Sequence, residues 1–313
     1  MSESMSDQPF RQPAWLVAEP YTDVDHGVVK SGKEAQVNLV ERIGDDGRSC
    51  LIARKRYLPR HVTQKGQLEA LGVQRASTFR HDVQYREGRQ FRKTRDRRAI
   101  ERMSTYGKKL LQDRWTGTEH DVMSRLWSAG VSVPYPIGFA DDVFDLEYVG
   151  SWEMAAPQLS AARLSSPQLA GAFEQLLVGL RAITAAGLAH GDLSAYNLLW
   201  WEERLWFIDF PQSIDIAANL NGLEFLHRDV VNVCTWFQRK GLAVDEGITL
   251  ADLTGTLDLL LRKLFGEKRR TEFRTHYFPF TEPSIEAYVS CHVCDGDGCT
   301  TCRHSGWIEV GGA

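Results

Sequence analysis

Apolar and polar residues change their period several times along the chain, and each change marks an element. Gln36-Val37-Asn38-Leu39-Val40 alternates, Gly44-Asp45-Asp46-Gly47 is a turn, and Cys50-Leu51-Ile52-Ala53 is a second apolar run. Val28 to Tyr57 therefore predicts a strand pair behind a glycine-containing entry loop. Gln64 to Leu126 is polar and helix-compatible, with a loop around Arg75 to Arg80 and few large apolar positions before Met103. A further strand is predicted over Val143 to Val149. Ser166-Pro167 supplies an N-cap and a first-turn proline. Leu169, Phe173, Leu176, Leu177, Leu180 and Ile183 then fall at helical spacing until Gly187 closes the segment. A hairpin about Glu202-Glu203 and the apolar strand Leu205-Trp206-Phe207-Ile208 follow, and helical patterns run over Leu226 to Lys240 and Leu250 to Phe265.

Composition sets the class. A chain of 313 residues with 43% hydrophobic and 25% charged content can bury a core as one two-lobed domain or two modest ones. No apolar run approaches the roughly 20 residues of a membrane span. Met1 to Pro13 is polar, unlike a signal peptide, so the expectation is a cytoplasmic protein without membrane contact, with residues 1–21 flexible. The net charge of -4 conceals an asymmetry, because Arg54 to Arg114 holds 18 Lys/Arg against 6 Asp/Glu. That basic face, 54–114, is either a solvated helical surface or a contact for an anionic partner, RNA or an acidic protein. Phe79, Tyr85 and Phe91 within it could stack on bases or simply pack in a core.

Phosphoryl transfer from ATP needs a cation on the phosphates, oxygen ligands for that cation, a positive group, and a carboxylate near the acceptor hydroxyl. Asp192 and Asn197 stand five positions apart in a loop leaving an apolar helix, a spacing that lets one loop present a hydroxyl-orienting carboxylate and an oxygen ligand for Mg²⁺. Asp209 ends an apolar strand twelve residues later, and a short hairpin would return it beside Asn197. His190 is read as a buried imidazole holding the loop. Lys55 in isolation is one charge in the run Arg54-Lys55-Arg56.

His190-Gly191-Asp192-Leu193-Ser194-Ala195-Tyr196-Asn197 resembles the HxDLSxxN catalytic loop of the RIO family of atypical protein kinases. Ile208-Asp209-Phe210-Pro211-Gln212-Ser213 is similar to that family's metal-binding segment. Ser31-Gly32-Lys33-Glu34-Ala35 resembles the short RIO phosphate loop, and Ala53-Arg54-Lys55 falls where a phosphate-contacting lysine belongs. The resemblance spans Val28 to Phe265. It implies an α+β, two-lobed protein-kinase-like fold, with a small β-rich N-lobe (22–149) and a mainly helical C-lobe (150–268). It also implies Glu119 as partner of Lys55, Leu146 to Gly150 as the adenine hinge with Glu147 and Val149 at the base, and the helix from Arg228-Asp229 behind the catalytic loop. Asp192 would be catalytic, Asn197 and Asp209 would hold Mg²⁺ or Mn²⁺, and ATP would phosphorylate a protein Ser/Thr, including the protein itself. A transient aspartyl-phosphate on Asp209, an RNA-bound switch, and small-molecule phosphotransfer of the aminoglycoside-kinase type are the alternatives.

Cys50 and Cys234 stand alone, while Cys291-x2-Cys294-x4-Cys299-x2-Cys302 offers four thiolates in two pairs, enough for a tetrahedral zinc site, with Gly296 and Gly298 giving the turns their freedom. Free thiols or a redox pair are the other readings, and His292 and His304 are unnecessary as ligands. Tyr277 to Ser284, the Cys pairs and Gly306 to Val310 resemble part of the catalytic core of phenylalanyl-tRNA synthetase alpha subunits, over about the last 40 residues. The tail 269–313 is accordingly expected to be a zinc-stabilised appendage.

Overall fold

The computed structural model describes residues 12–32, 35–57, 119–140, 142–216, 219, 222–266, 268–278 and 281–311. The helical stretch expected over most of 64–126, with its loop at 75–80, and Lys33 and Glu34 lie outside them. The chain divides into two compact units, one of residues 1–121 and 136–148, the other of 122–135 and 149–313. Among the described residues no helix is long and apolar enough to cross a membrane.

The first unit carries a five-stranded sheet of β1 (Tyr21–Ser31), β2 (Ala35–Gly44), β3 (Ser49–Tyr57), β4 (Pro136–Ala140) and β5 (Val143–Glu147), in the order β1-β2-β3-β5-β4, every neighbouring pair antiparallel. Alternation puts Val40, Ile52 and Phe144 fully inside. The face that carries Val40 and Ile52, opposite that of Phe144 and Lys55, also carries an ionic ladder across four strands. Arg42 donates to both oxygens of Asp23 (2.8 and 3.0 Å). Arg54 donates to both oxygens of Asp145 (2.8 Å each) and to Asp23 (2.6 Å). Bidentate forks of this kind fix register as well as charge. Arg54, the first residue of the basic stretch 54–114, is thereby paired with Asp145 and Asp23, while 58–118 lie outside the described residues.

The second unit is mainly helical, with α1 (119–128) leading into it from the first. Helix α2 (Ser166–Ala185) buries Leu169, Ala172, Leu176, Leu180 and Ile183 at helical spacing. Its N-cap is Ser165, one residue before the expected cap. Ser165 and Gln168 form a reciprocal capping box, and Pro167 occupies the first turn. Gly187 takes a left-handed backbone (φ 76°) just past the helix end. Helix α3 (Gly222–Arg239) starts a turn earlier than its apolar pattern indicates, and α4 (Glu246–Phe265) is capped by Asp245, whose side chain accepts from Ile248 N–H. Short strands β6 (Leu188–Ala189), β7 (Leu198–Trp201), β8 (Arg204–Phe207) and β9 (Ile214–Asp215) pair as β6-β9 and β7-β8, with Glu202 and Glu203, both at positive φ, turning the β7-β8 hairpin.

The tail carries a sheet of its own. Strands β10 (Thr271–Phe278), β11 (Thr281–Ser290) and β12 (Trp307–Gly311) form an antiparallel sheet that belongs to the second compact unit. Helix α3 packs against β11 and α4 against β10. Thr271 also donates a side-chain hydrogen bond to Asp258 of α4. Two neighbouring helices supply the apolar cover, so the sheet buries Ala287 and Val289.

Candidate functional site

Strand β6 leads into the loop 190–197, and β9 leads out of the segment 208–213, so the pairing of Leu188 with Asp215 and Ala189 with Ile214 draws the two stretches together. The β7-β8 hairpin does the same from the other side. Leu198 pairs with Phe207, and Ile208 N–H donates to the carbonyl of Asn197 at 3.1 Å, which sets Asp209 beside Asn197. Asp209 has φ 70°, a left-handed backbone uncommon for a side-chain-bearing residue and concentrated at functional sites. Gly191, φ 82°, is required where the stretches meet, since a Cβ there would collide with the carbonyl of Gln212.

The loop is held from behind by α3. Asp229, fully buried, accepts the backbone N–H of Gly191 (2.8 Å) and of Leu193 (2.9 Å) on its two oxygens. Burial pushes its carboxyl above the ordinary aspartate value, while the neighbouring His190 and Arg228 and the two N–H donors pull it down. Arg228 donates to the carbonyl of Gly191, and Asn232 to that of Leu193 at 3.3 Å. His190 is buried, stacks beside Phe210 with ring centres 4.6 Å apart, and donates from Nε2 to the carbonyl of Ile208 (3.0 Å). Every alternate residue of the loop, Gly191, Leu193 and Ala195, faces inward, so Asp192 is turned outward. Spacing could not show Asp229 in this role: its partners lie 36 and 38 residues away, and only the family pattern at Arg228-Asp229 pointed to the helix.

Asn197 Nδ2 donates to the backbone carbonyl of Asp192 (2.8 Å) and to its carboxylate (3.3 Å), so the amide oxygen Oδ1 is the atom that could meet a cation. Desolvation by the surrounding protein pushes the Asp192 carboxyl above the ordinary aspartate value, and the neighbouring Asp209 adds to the rise against His190, Arg228 and Asn197. The Asp209 carboxylate and the Asn197 amide oxygen would make an oxygen donor pair, which suits a hard divalent cation such as Mg²⁺.

In the first unit Lys55 and Glu119 form a buried ion pair, Nζ to Oε1 2.9 Å and to Oε2 3.1 Å, and Tyr57 donates its hydroxyl to Glu119. Glu119 is fully buried and Lys55 nearly so. Ser31 pairs with Gln36 where β1 gives way to β2, and Gly32 N–H donates to the carbonyl of Ala35 (2.9 Å). Glu147 ends β5, opposite Ile52, and the buried Val149 accepts at its carbonyl from Ala156 N–H (2.9 Å).

The sulfurs of Cys291, Cys294, Cys299 and Cys302 all lie within 4.8 Å of one another. Three of their separations, 291–299, 294–302 and 299–302, are 3.8 Å. Four thiolates at a Zn–S distance of about 2.3 Å stand about 3.8 Å apart in a tetrahedron, so the geometry fits zinc. Backbone N–H groups of Cys299 (3.1 Å) and Gly306 (3.3 Å) reach the Cys302 sulfur and draw its thiol down to about 6, favouring the thiolate a metal needs. Burial pushes the Cys294 thiol the other way, up to about 11.

A sheet carrying a Lys–Glu pair, with an Asp-x4-Asn loop anchored by a helix aspartate, defines a kinase-type phosphotransferase. Residues 64–248 match the model of the family described as RIO domain, more than half of the chain, and the chain belongs to that family. The match begins beyond Ser31 to Ala35 and Lys55. Residues 227–313 match the tRNA synthetases class II core domain (F), a longer stretch than the last 40 residues on which that likeness was read. Relatives over this part include the phenylalanine--tRNA ligase alpha subunits of Clostridium novyi (strain NT), 54% identical over 82 residues covering 26% of this chain and 24% of the relative, and of Lactococcus lactis subsp. cremoris (strain MG1363), 52% over 85 residues covering 27% and 25%. The chain thus spans about a quarter of the length of the curated relatives it matches.

Proposed function

We propose that the chain is an ATP- and Mg²⁺-dependent serine/threonine protein kinase that transfers the γ-phosphate to a hydroxyl of a protein, itself included. The observation that carries the reading is the joining of Asp192, Asn197 and Asp209 in one hydrogen-bonded loop and hairpin anchored by Asp229. Asn197 through Oδ1 and Asp209 through its carboxylate hold the cation, for which Mn²⁺ can substitute. The bound ion neutralises the phosphates of ATP. Asp192, outward-facing and ionised above its raised pKa, orients the acceptor hydroxyl and takes its proton.

Lys55, kept in place by Glu119, contacts phosphate, as does the loop Ser31 to Ala35, and the backbone of Glu147 and Val149 meets adenine. Because the Val149 carbonyl already accepts from Ala156, the adenine contact at that residue falls to its N–H. The four cysteines hold a structural zinc ion, and the reading is cytoplasmic, where thiols stay reduced.

The test is to incubate the full-length protein with γ-labelled ATP and Mg²⁺ and follow the label. Phosphoserine or phosphothreonine resistant to hydroxylamine supports the proposal. Label released by hydroxylamine assigns it to an acyl-phosphate on Asp209, and transfer to aminoglycosides but to no protein assigns the site to small molecules; either overturns it.

A further inference from the structure

Helix α3 is where the catalytic loop and the cysteine tail meet. Arg228, Asp229 and Asn232, all within two turns of it, make four hydrogen bonds to Gly191 and Leu193. The same helix packs against β11, and β11 runs directly into Cys291, the first and a fully buried thiol of the cluster. The two family matches overlap on 227–248, a span that contains all three of these helix residues.

The connection between β11 and β12 is held by the hydrogen bonds of its own turns, such as His304 N–H to the carbonyl of Cys299 (2.7 Å) and Asp297 N–H to that of Cys294 (2.9 Å), and by Arg269 on Asp295 (2.7 Å), but it has no apolar core. Asp295, Gly296, Gly298, Arg303, His304 and Gly306 all have left-handed backbones, and its buried residues are Cys291, Cys302 and Gly306. Val293, its one large apolar side chain, is 59% exposed. With no aliphatic or aromatic side chain buried, turn hydrogen bonds alone restrain the connection, and a crosslink through its four sulfurs would add most of its rigidity. The sulfurs stand at the spacing that zinc demands. At its ends the connection is tied into the sheet: Cys291 N–H donates to the carbonyl of Gly306 (2.8 Å), and Ser290 pairs with Trp307.

We propose that zinc on Cys291, Cys294, Cys299 and Cys302 is a strut for the catalytic loop. The ion locks β12 onto β11, β11 backs α3, and α3 holds Gly191 and Leu193 through Asp229, so the tail is a working part of the phosphotransfer unit. The activity arm of the proposal rests on the kinase reading, and its structural arm does not.

The experiment uses the full-length protein, assayed for bound zinc. Amide hydrogen exchange and transfer from γ-labelled ATP are measured before chelation, after chelation, and after Zn²⁺ is returned, with Cys294→Ser alongside. The expected result is zinc in the protein and, on its removal, exchange at Gly191 and Leu193 faster by about 10-fold together with a comparable drop in transfer, both restored by Zn²⁺. Melting of the whole second unit on zinc removal also supports the strut, because an independent tail would melt alone. Faster exchange confined to β11 and β12, with Gly191 and Leu193 still protected, overturns it, as does a protein that neither contains nor takes up zinc. If the untreated protein transfers no phosphate, the kinase reading fails, while exchange at Gly191 and Leu193 still decides the strut.

Discussion

The catalytic loop, 190–197, and the cysteine connection, 291–306, are both irregular segments of the second unit, yet they are held by opposite means. In the first, alternate residues point inward, and a buried carboxylate from a neighbouring helix accepts the loop's own N–H groups. In the second, the side chains point at one another, sulfur to sulfur, and little besides the cysteines is buried. A loop that must present a reactive group outward has to be gripped by its backbone, which leaves Asp192 available for chemistry. A loop with no group to present can turn all its ligands inward on an ion.

The sharpest way to break this comparison is to exchange the consequences of the two sites. Asp192→Ala is expected to reduce phosphate transfer by about 10²–10⁴-fold without unfolding, whereas Cys294→Ser should act through structure, with the smaller loss given above. Similar losses from both, with no structural change in either, would erase the distinction. The ion pair of the first unit offers a third means of holding a side chain, an opposite charge. Glu119→Gln removes the opposite charge from the buried Lys55 ammonium and should cost about 3–5 kcal/mol, read as a lower urea midpoint. Asp229→Asn keeps one oxygen where two accept, so one loop N–H loses its partner, and the expected cost is about 1–3 kcal/mol by the same measurement.

The smallest effect is in pH. The Asp192 carboxyl titrates above its ordinary value of 3.8 in the folded protein, so the native state binds more protons than the unfolded one from 3.8 up to that raised value. As pH rises through this window, stability contributed by Asp192 falls while transfer rises. Asp192→Asn should remove the stability change, measured as a difference between the unfolding curves of the two proteins across pH.

Local pattern carried much of this fold. The apolar stripe of α2 and the run Leu205 to Ile208 both lead to their elements, and the short β7-β8 hairpin makes the approach of Asp209 to Asn197 legible from twelve residues of spacing. Contacts that depend on remote strands were not legible. Arg54 reads as part of a basic run, but pairing of β3 with β5 sets it against Asp145, 91 residues away. Lys55 meets Glu119 across 64 residues, and only the family resemblance named that partner. The cap fell at Ser165 and not Ser166 because Gln168 completes the box from three residues on. The tail reads as an appendage because its own apolar pattern is short; its burial comes from α3 and α4, which the pattern assigns to the kinase part.

The central claim is that Asp192, with Asn197 and Asp209 beside it, directs phosphate from ATP to a hydroxyl. Single-turnover transfer from γ-labelled Mg-ATP, run on the full-length protein and on Asp192→Ala with nucleotide binding measured in parallel, tests it most directly. The variant should bind Mg-ATP about as well as the parent protein and transfer almost none of it; undiminished transfer by the variant would overturn the role given to Asp192.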